Sequence, residues 1–154
     1  MIFKLKIALG IIVWLAIAGY SLAEANFTKL VKEIRPAVVT VVVYDANHQV
    51  TGLGSGFFID KYGHLITNYH VIDGKYAAEV RTADGSSYPI VMVVADNKSV
   101  DLVKVLVDIP REKVKWIKVS SDLPSIAEQI MVVGSPMGLE QTVSEGIVSS
   151  IREI

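Results

Sequence analysis

The fold is decided by Gly54-Ser-Gly-Phe-Phe-Ile-Asp-Lys-Tyr-Gly-His-Leu-Ile-Thr-Asn-Tyr-His-Val71. Its two halves are runs of apolar and β-branched residues, and Lys61-Tyr-Gly63 between them has the composition of a turn. The pattern predicts neighbouring strands at Gly54–Ile59 and His64–Asn68. His70 follows the second strand, where a rigid scaffold would hold its imidazole at the start of a solvent-exposed loop. A neutral imidazole in such a place can act as a general base near pH 7.

Outside this stretch the chain continues as short runs rich in Val, Ile, Tyr and Thr, bounded by Gly, Asn, Asp or Pro. This pattern is typical of an all-β barrel or sandwich. No long helical pattern separates the runs, which argues against a parallel βαβ sheet. A short amphipathic helix is predicted near residues 26–34. The other predicted strands are Ala37–Tyr44, Ala77–Thr82, Ser87–Ala95, Leu102–Asp108, Ile117–Val119, Gln129–Val133 and Thr142–Ile151.

The N-terminus, residues 1–25, has the parts of an export signal. Lys4 and Lys6 precede an uncharged apolar run, and small residues follow it. These features predict a secretory signal peptide that is cleaved after Ala23 or Ala25. The alternative is an uncleaved membrane anchor, because residues 7–23 are as long as the shortest segments that cross a bilayer, about 17 residues. On either interpretation the rest of the chain is exported, to the periplasm or cell envelope.

Composition excludes several kinds of function. The net charge is −1, with 15 basic and 16 acidic residues, so nothing favours binding to nucleic acid. The absence of cysteine excludes a disulfide framework, a thiolate metal site and a cysteine nucleophile.

Asp101 is the second candidate for chemistry, 31 residues after His70 and directly before the apolar run Leu102–Val107. A carboxylate there can accept the Nδ1 proton of His70, hold the ring in one tautomer and stabilise the imidazolium. The alternative interpretation is an ordinary turn residue.

Three blocks of the sequence resemble the HtrA/Deg-type, trypsin-like serine proteases. Residues 54–71 are similar, nearly residue for residue, to that family's G-S-G-F-(I/V)-I-(D/S)-x-x-G-x-(I/L)-(L/V)-T-N-x-H-V segment. Asp101-Leu-Val-Lys-Val resembles the D-(L/I)-A-(V/L)-L that carries the family's Asp, and residues 132–149 resemble a block of its second barrel. Ala127 stands where the family commonly has Gly. The resemblance covers almost all of residues 26–152.

The resemblance implies a chymotrypsin-like fold, with a first barrel at residues 26–112 and the start of an incomplete second barrel at 113–154. It also implies a serine endopeptidase for exported-protein quality control, with His70 and Asp101 as catalytic residues and no metal or organic cofactor. The partners it implies are unfolded or misfolded protein substrates and, in the full-length protein, a homo-trimer.

The family's nucleophilic Ser lies in a G-N-S-G-G motif, and no G-(N/D)-S-G-G occurs in this sequence. Ser55 matches a structural strand of the family and Ser135 a turn, so neither is expected to be the nucleophile. The isolated chain is therefore expected to be an inactive fragment. One alternative is a catalytically dead module that pairs with exposed strands or with another protease chain. The other is a membrane-anchored β-domain with a structural role.

Overall fold

The computed structural model describes residues 27–134 and 142–152. A helix, α1, spans residues 27–34, which confirms the predicted helix, and a 3-10 turn follows at Arg35–Ala37. Within the described residues, no helix combines the length and the apolar character needed to cross a membrane. The predicted signal at residues 1–25 and its alternative, an anchor at 7–23, lie outside the described residues.

The described residues contain eight strands. They are β1 (Val38–Tyr44), β2 (Val50–Phe58), β3 (His64–Thr67), β4 (Ala77–Arg81), β5 (Ser87–Asn97), β6 (Leu102–Val107), β7 (Gln129–Gly134) and β8 (Thr142–Ile147). The first six close into an antiparallel barrel in the order β1-β2-β3-β6-β5-β4, and β7 pairs with β8 in a separate two-stranded sheet. The predicted all-β fold, a barrel followed by strands of a second sheet, is confirmed.

Valines fill the barrel because alternate side chains of a strand point to the same face. The largest contributions come from β1 and β6, whose inward valines are at most 2% exposed: Val39, Val41, Val43, Val103, Val105 and Val107. The same core includes Phe58 of β2, Leu65 of β3, Val80 of β4 and, after β6, Ile109 and Val114. Lys104 alternates with the buried valines of β6 and is partly exposed, so its charge stays out of the core.

Three strand predictions need correction. One is that β8 ends at Ile147 and not at Ile151. Ile117–Val119 forms no strand; its one main-chain link to the barrel is the Ile117 N–H, which donates to the Phe58 carbonyl at 3.0 Å. A strand needs successive pairs of such bonds, which this segment does not make. β2 begins at Val50 rather than Gly54, because Val50–Leu53 continues the pairing with Val42–Tyr44 of β1.

Ala127 has a φ of 68°, in the left-handed region that favours glycine. Its N–H donates to the Val148 carbonyl at 2.8 Å, so the turn before β7 depends on this conformation. Since a left-handed non-glycine residue costs about 1–2 kcal/mol, we expect Ala127→Gly to raise the free energy of unfolding by about 0.5–1 kcal/mol in urea denaturation. Ala46→Gly, in an exposed turn with negative φ, is the matched control and should lower it slightly. Equal effects of the two substitutions would contradict the assignment of strain to Ala127.

Candidate functional site

His70 is positioned by a one-turn helix, α2 (Tyr69–Ile72), that is separated from β3 by Asn68 alone. Tyr69, Val71 and Ile72 pack against the barrel core, which leaves the His70 side chain 72% exposed. Gly54 of β2 permits this packing, because a Cβ there would lie 2.7 Å from both methyl groups of Val71. The strand before His70 thus leads into a helical turn, not into the loop that the sequence suggested.

Asp101 is positioned by a different part of the barrel. A 3-10 turn at Lys98–Val100 precedes it, and the Asp101 N–H donates to the Lys98 carbonyl at 3.2 Å. Its φ is 54°, a left-handed conformation that Asp adopts more readily than most residues. β6 begins at the next residue, so the carboxylate sits where a turn enters the barrel wall.

The structure brings His70 and Asp101 into contact through two hydrogen bonds. Nδ1 of His70 lies 2.7 Å from Oδ2 of Asp101, and the main-chain N–H of His70 donates to Oδ1 at 2.9 Å. A third link joins the same elements, since the Tyr69 N–H donates to the main-chain carbonyl of Asp101 at 3.2 Å. The carboxylate is 44% exposed. The same carboxylate accepts hydrogen bonds from both the ring and the main chain of His70.

These contacts favour the ionised carboxylate. The hydrogen bonds that His70 donates, first from its main chain and then from its ring, hold the pKa of Asp101 below its ordinary value. A carboxylate in contact with Nδ1 fixes the proton of a neutral imidazole on that nitrogen. The second ring nitrogen, Nε2, is then a proton acceptor, as a general base requires.

A cavity of about 200 Å³ lies next to the His70–Asp101 pair. It is lined by Asn68, the residue before α2, and by Leu102, the residue after Asp101. Val133 of β7 also lines this cavity, so the second sheet approaches the barrel beside the His–Asp pair.

Ser55 lies in β2 opposite Thr40, and its carbonyl accepts the Thr67 hydroxyl at 2.8 Å. Ser135 lies outside the described residues.

A second His–Asp pair, which the sequence reasoning missed, lies at the β2–β3 turn. Nδ1 of His64 is 2.6 Å from Oδ2 of Asp60, and Oδ1 accepts the main-chain N–H groups of Tyr62 and His64. The available signal was an Asp and a His four residues apart across a glycine-containing turn. Both side chains are less than one-third exposed, and the carboxylate ties the turn together. The pair therefore has a structural explanation.

Asp60→Asn is expected to lower the free energy of unfolding by about 1 kcal/mol at pH 7. Burial raises the pKa of Asp60, but hydrogen bonds from His64 and Tyr62 together outweigh it and leave the pKa below its ordinary value. The stabilisation is thus complete above the unfolded-state pKa of about 4 and is lost as the pH falls through the lower folded-state value. Urea denaturation at several pH values should show the difference between wild type and variant shrinking below about pH 4. Asp122→Asn, at an exposed position, serves as the control; a constant Asp60→Asn difference at all pH values would contradict the account.

Comparison with known proteins identifies the family. The model of the trypsin-like peptidase domain matches residues 54–153. The chain belongs to the trypsin-like peptidase family. It is 33% identical to the chloroplastic Protease Do-like 1 of Arabidopsis thaliana over 140 residues, which cover 84% of this chain and 31% of that protein. It is also 33% identical to the periplasmic serine endoprotease DegP of Escherichia coli K12 over 100 residues, which cover 64% of this chain and 21% of DegP.

The structural comparison agrees. The crystal structure of a serine endoprotease from Yersinia pestis superposes with a TM-score of 0.71 at 27% sequence identity, covering 80% of this chain and 44% of that one. The resemblance to HtrA/Deg-type proteases is thereby confirmed for this trypsin-like domain. The chain spans less than a third of the length of each of these two relatives.

Proposed function

We propose that this chain is the N-terminal part of an HtrA-type serine endopeptidase in which His70 is the general base and Asp101 orients it. The observation that carries the proposal is the 2.7 Å contact between Nδ1 of His70 and the Asp101 carboxylate. Family membership supports it, because trypsin-like peptidases pair a His with an Asp in this way. The cavity beside the pair, lined by both sheets, supports a location at the junction of two halves of a protease.

The reaction that we propose begins with a serine supplied by a segment other than these 154 residues, since the sequence has no G-(N/D)-S-G-G motif. As its Oγ bonds to the scissile carbonyl carbon, the hydroxyl proton moves to Nε2 of His70, and Asp101 stabilises the imidazolium. The imidazolium then gives the proton to the leaving amine while the C–N bond breaks. Water attacks the resulting acyl-enzyme and loses a proton to Nε2. His70 then gives that proton to the serine Oγ as the acyl C–O bond breaks, which regenerates the serine and releases the carboxylic acid.

The substrates and location are part of the same proposal. The full-length protein would degrade unfolded or misfolded proteins after export, and would work as a homo-trimer. The signal-like residues 1–25 and the periplasmic location stated in the name of the E. coli relative support export. The net charge of −1 supports protein substrates over nucleic acid.

Labelling with a fluorophosphonate, which reacts with activated serines, tests the proposal. The complete gene product, expressed from its own start codon to its own stop codon, should be labelled in a G-N-S-G-G segment and should hydrolyse casein. The 154-residue chain alone should give neither labelling nor hydrolysis. Hydrolysis by the chain alone that His70→Ala abolishes would instead assign the nucleophile to Ser55, Ser135 or another of its serines.

One observation favours a second candidate, a binding module that pairs with extended strands. Within the described residues, β7 and β8 pair only with each other, and Val132 and Ile147 are 62% and 58% exposed. Open edges with apolar side chains accept additional strands. A stop codon directly after Ile154, together with a folded monomer that captures an extended apolar peptide, would favour this candidate over the protease.

A further inference from the structure

Asn68 occupies an unusual position for an asparagine at the start of a helix. It is the N-cap of α2, and its main-chain carbonyl accepts the Val71 N–H at 3.2 Å. An N-cap asparagine usually turns its side-chain oxygen toward the first helical N–H groups, but Asn68 makes no such bond. Its side chain is therefore used for something other than capping.

The Asn68 amide instead bridges two atoms of Asp101. Nδ2 donates to the main-chain carbonyl of Asp101 at 3.1 Å and to Oδ2 at 3.2 Å. Oδ2 is the oxygen that contacts the His70 ring, whereas Oδ1 accepts the His70 main-chain N–H. The torsion that orients a carboxylate is broad, and Asp101 is 44% exposed. Besides the ring itself, two donors on opposite oxygens restrict that torsion: the His70 main-chain N–H holds Oδ1, and the Asn68 amide holds Oδ2, the oxygen that contacts the ring.

The same bridge supports the backbone of Asp101. With a φ of 54°, this residue is in a conformation that costs a non-glycine residue free energy. Its carbonyl accepts hydrogen bonds from both the Asn68 side chain and the Tyr69 N–H. The bridge thus joins the segment before His70 to the conformation that directs the carboxylate at the ring.

We propose that Asn68 is a positioning residue, whose amide orients the Asp101 carboxylate toward Nδ1 of His70. Its relevance to catalysis rests on the proposed protease function; the orientation itself does not. An amide does not titrate, so it donates to the carboxylate at every pH at which the protein is folded. Its loss would let the carboxylate rotate more freely and would weaken the preference of His70 for the Nδ1–H tautomer.

The orientation is tested by nuclear magnetic resonance on the 154-residue chain. In Asn68→Ala, ¹⁵N shifts of the His70 ring should show a smaller fraction of the Nδ1–H tautomer, and the ¹³Cγ titration of Asp101 should move to higher pH. Asn68→Asp, which is isosteric but repels Asp101 when ionised, should move that titration in the same direction and gives a second variant if Asn68→Ala does not fold.

Asn97→Ala is the matched control, because Asn97 belongs to the turn before Asp101 and accepts the Ser99 N–H without touching the carboxylate. It should lower stability and leave both signals unchanged. Wild-type signals in Asn68→Ala, or the same change in Asn97→Ala, would overturn the positioning role.

The catalytic consequence is tested separately on the complete gene product. Asn68→Ala should lower kcat about tenfold and leave KM unchanged, because a positioning residue acts on the base and not on substrate binding. An unchanged kcat would overturn the catalytic part of the proposal. If the wild-type gene product hydrolyses nothing while the chain shows the expected spectral changes, the protease function fails and the positioning role stands.

Discussion

Asp101→Asn is expected to lower kcat/KM of the complete gene product by about 10⁴-fold. Asparagine preserves the shape of the side chain and tolerates the left-handed backbone at this position, where φ is 54°, so the fold should survive. The substitution replaces a hydrogen-bond acceptor by a donor, because an amide nitrogen donates where the carboxylate oxygen accepted. His70 would then turn its unprotonated nitrogen toward residue 101 and present a protonated Nε2, which cannot act as a base. Initial rates of casein hydrolysis at substrate concentrations well below KM measure the effect on kcat/KM.

Asp96→Asn provides the control for this substitution. Asp96 is an exposed carboxylate near the end of β5 and makes no hydrogen bond to His70. Its replacement should leave kcat/KM within about twofold, a difference of less than 0.5 kcal/mol. Comparable losses in the two variants would show that negative charge near the site, rather than the bond to Nδ1, is what matters.

Leu65→Ala is expected to cause the largest loss of stability, about 2–5 kcal/mol. Leu65 is 0% exposed at the centre of the barrel. Gly56 lies directly against it, since a Cβ at position 56 would be 2.8 Å from Cδ2 of Leu65. The truncated side chain would leave a cavity inside the barrel, and the paired strands around it cannot move inward to fill it without breaking their hydrogen bonds. Such a loss is a large share of the 5–15 kcal/mol that stabilises a typical domain.

Leu53→Ala is the same chemical change on the adjacent strand, at a residue that is 43% exposed. It should cost about 1 kcal/mol or less. Urea denaturation of the two variants gives the comparison. Equal losses would contradict the assignment of Leu65 to the core.

The barrel could be predicted from the sequence because its signals are local. The valine-rich run of β1, the alternating valines of β6 and the turn at Lys61-Tyr-Gly63 each specify a strand or a turn without reference to distant residues. The prediction at Ile117–Val119 was wrong for the same reason: a β-branched run favours a strand, but only a partner strand makes one. β2 was predicted too short because its first residues, from Val50 to Leu53, are identified as a strand by their pairing with β1. Gly54 lies within this strand and leaves room for Val71.

The candidate site could be predicted in part. The spacing of His70 and Asp101 left a catalytic pair and a turn residue as alternatives, and in the structure Asp101 both ends a 3-10 turn and contacts His70. The bridge from Asn68 could not be foreseen, because it depends on the left-handed backbone at Asp101 and on how α2 meets that turn. The one sequence signal for the positive φ of Ala127 was the family's preference for glycine at this position. Catalytic roles for His70 and Asp101 remain predictions.

Removal of the His70 imidazole from the complete gene product tests the central claim most directly. Hydrolysis of fluorescently labelled, unfolded casein should fall to the uncatalysed background in His70→Ala. It should keep its wild-type rate in His48→Ala, which alters a histidine in an exposed loop of the same barrel. Retention of the wild-type rate in His70→Ala would show that this imidazole is not the base of a protease.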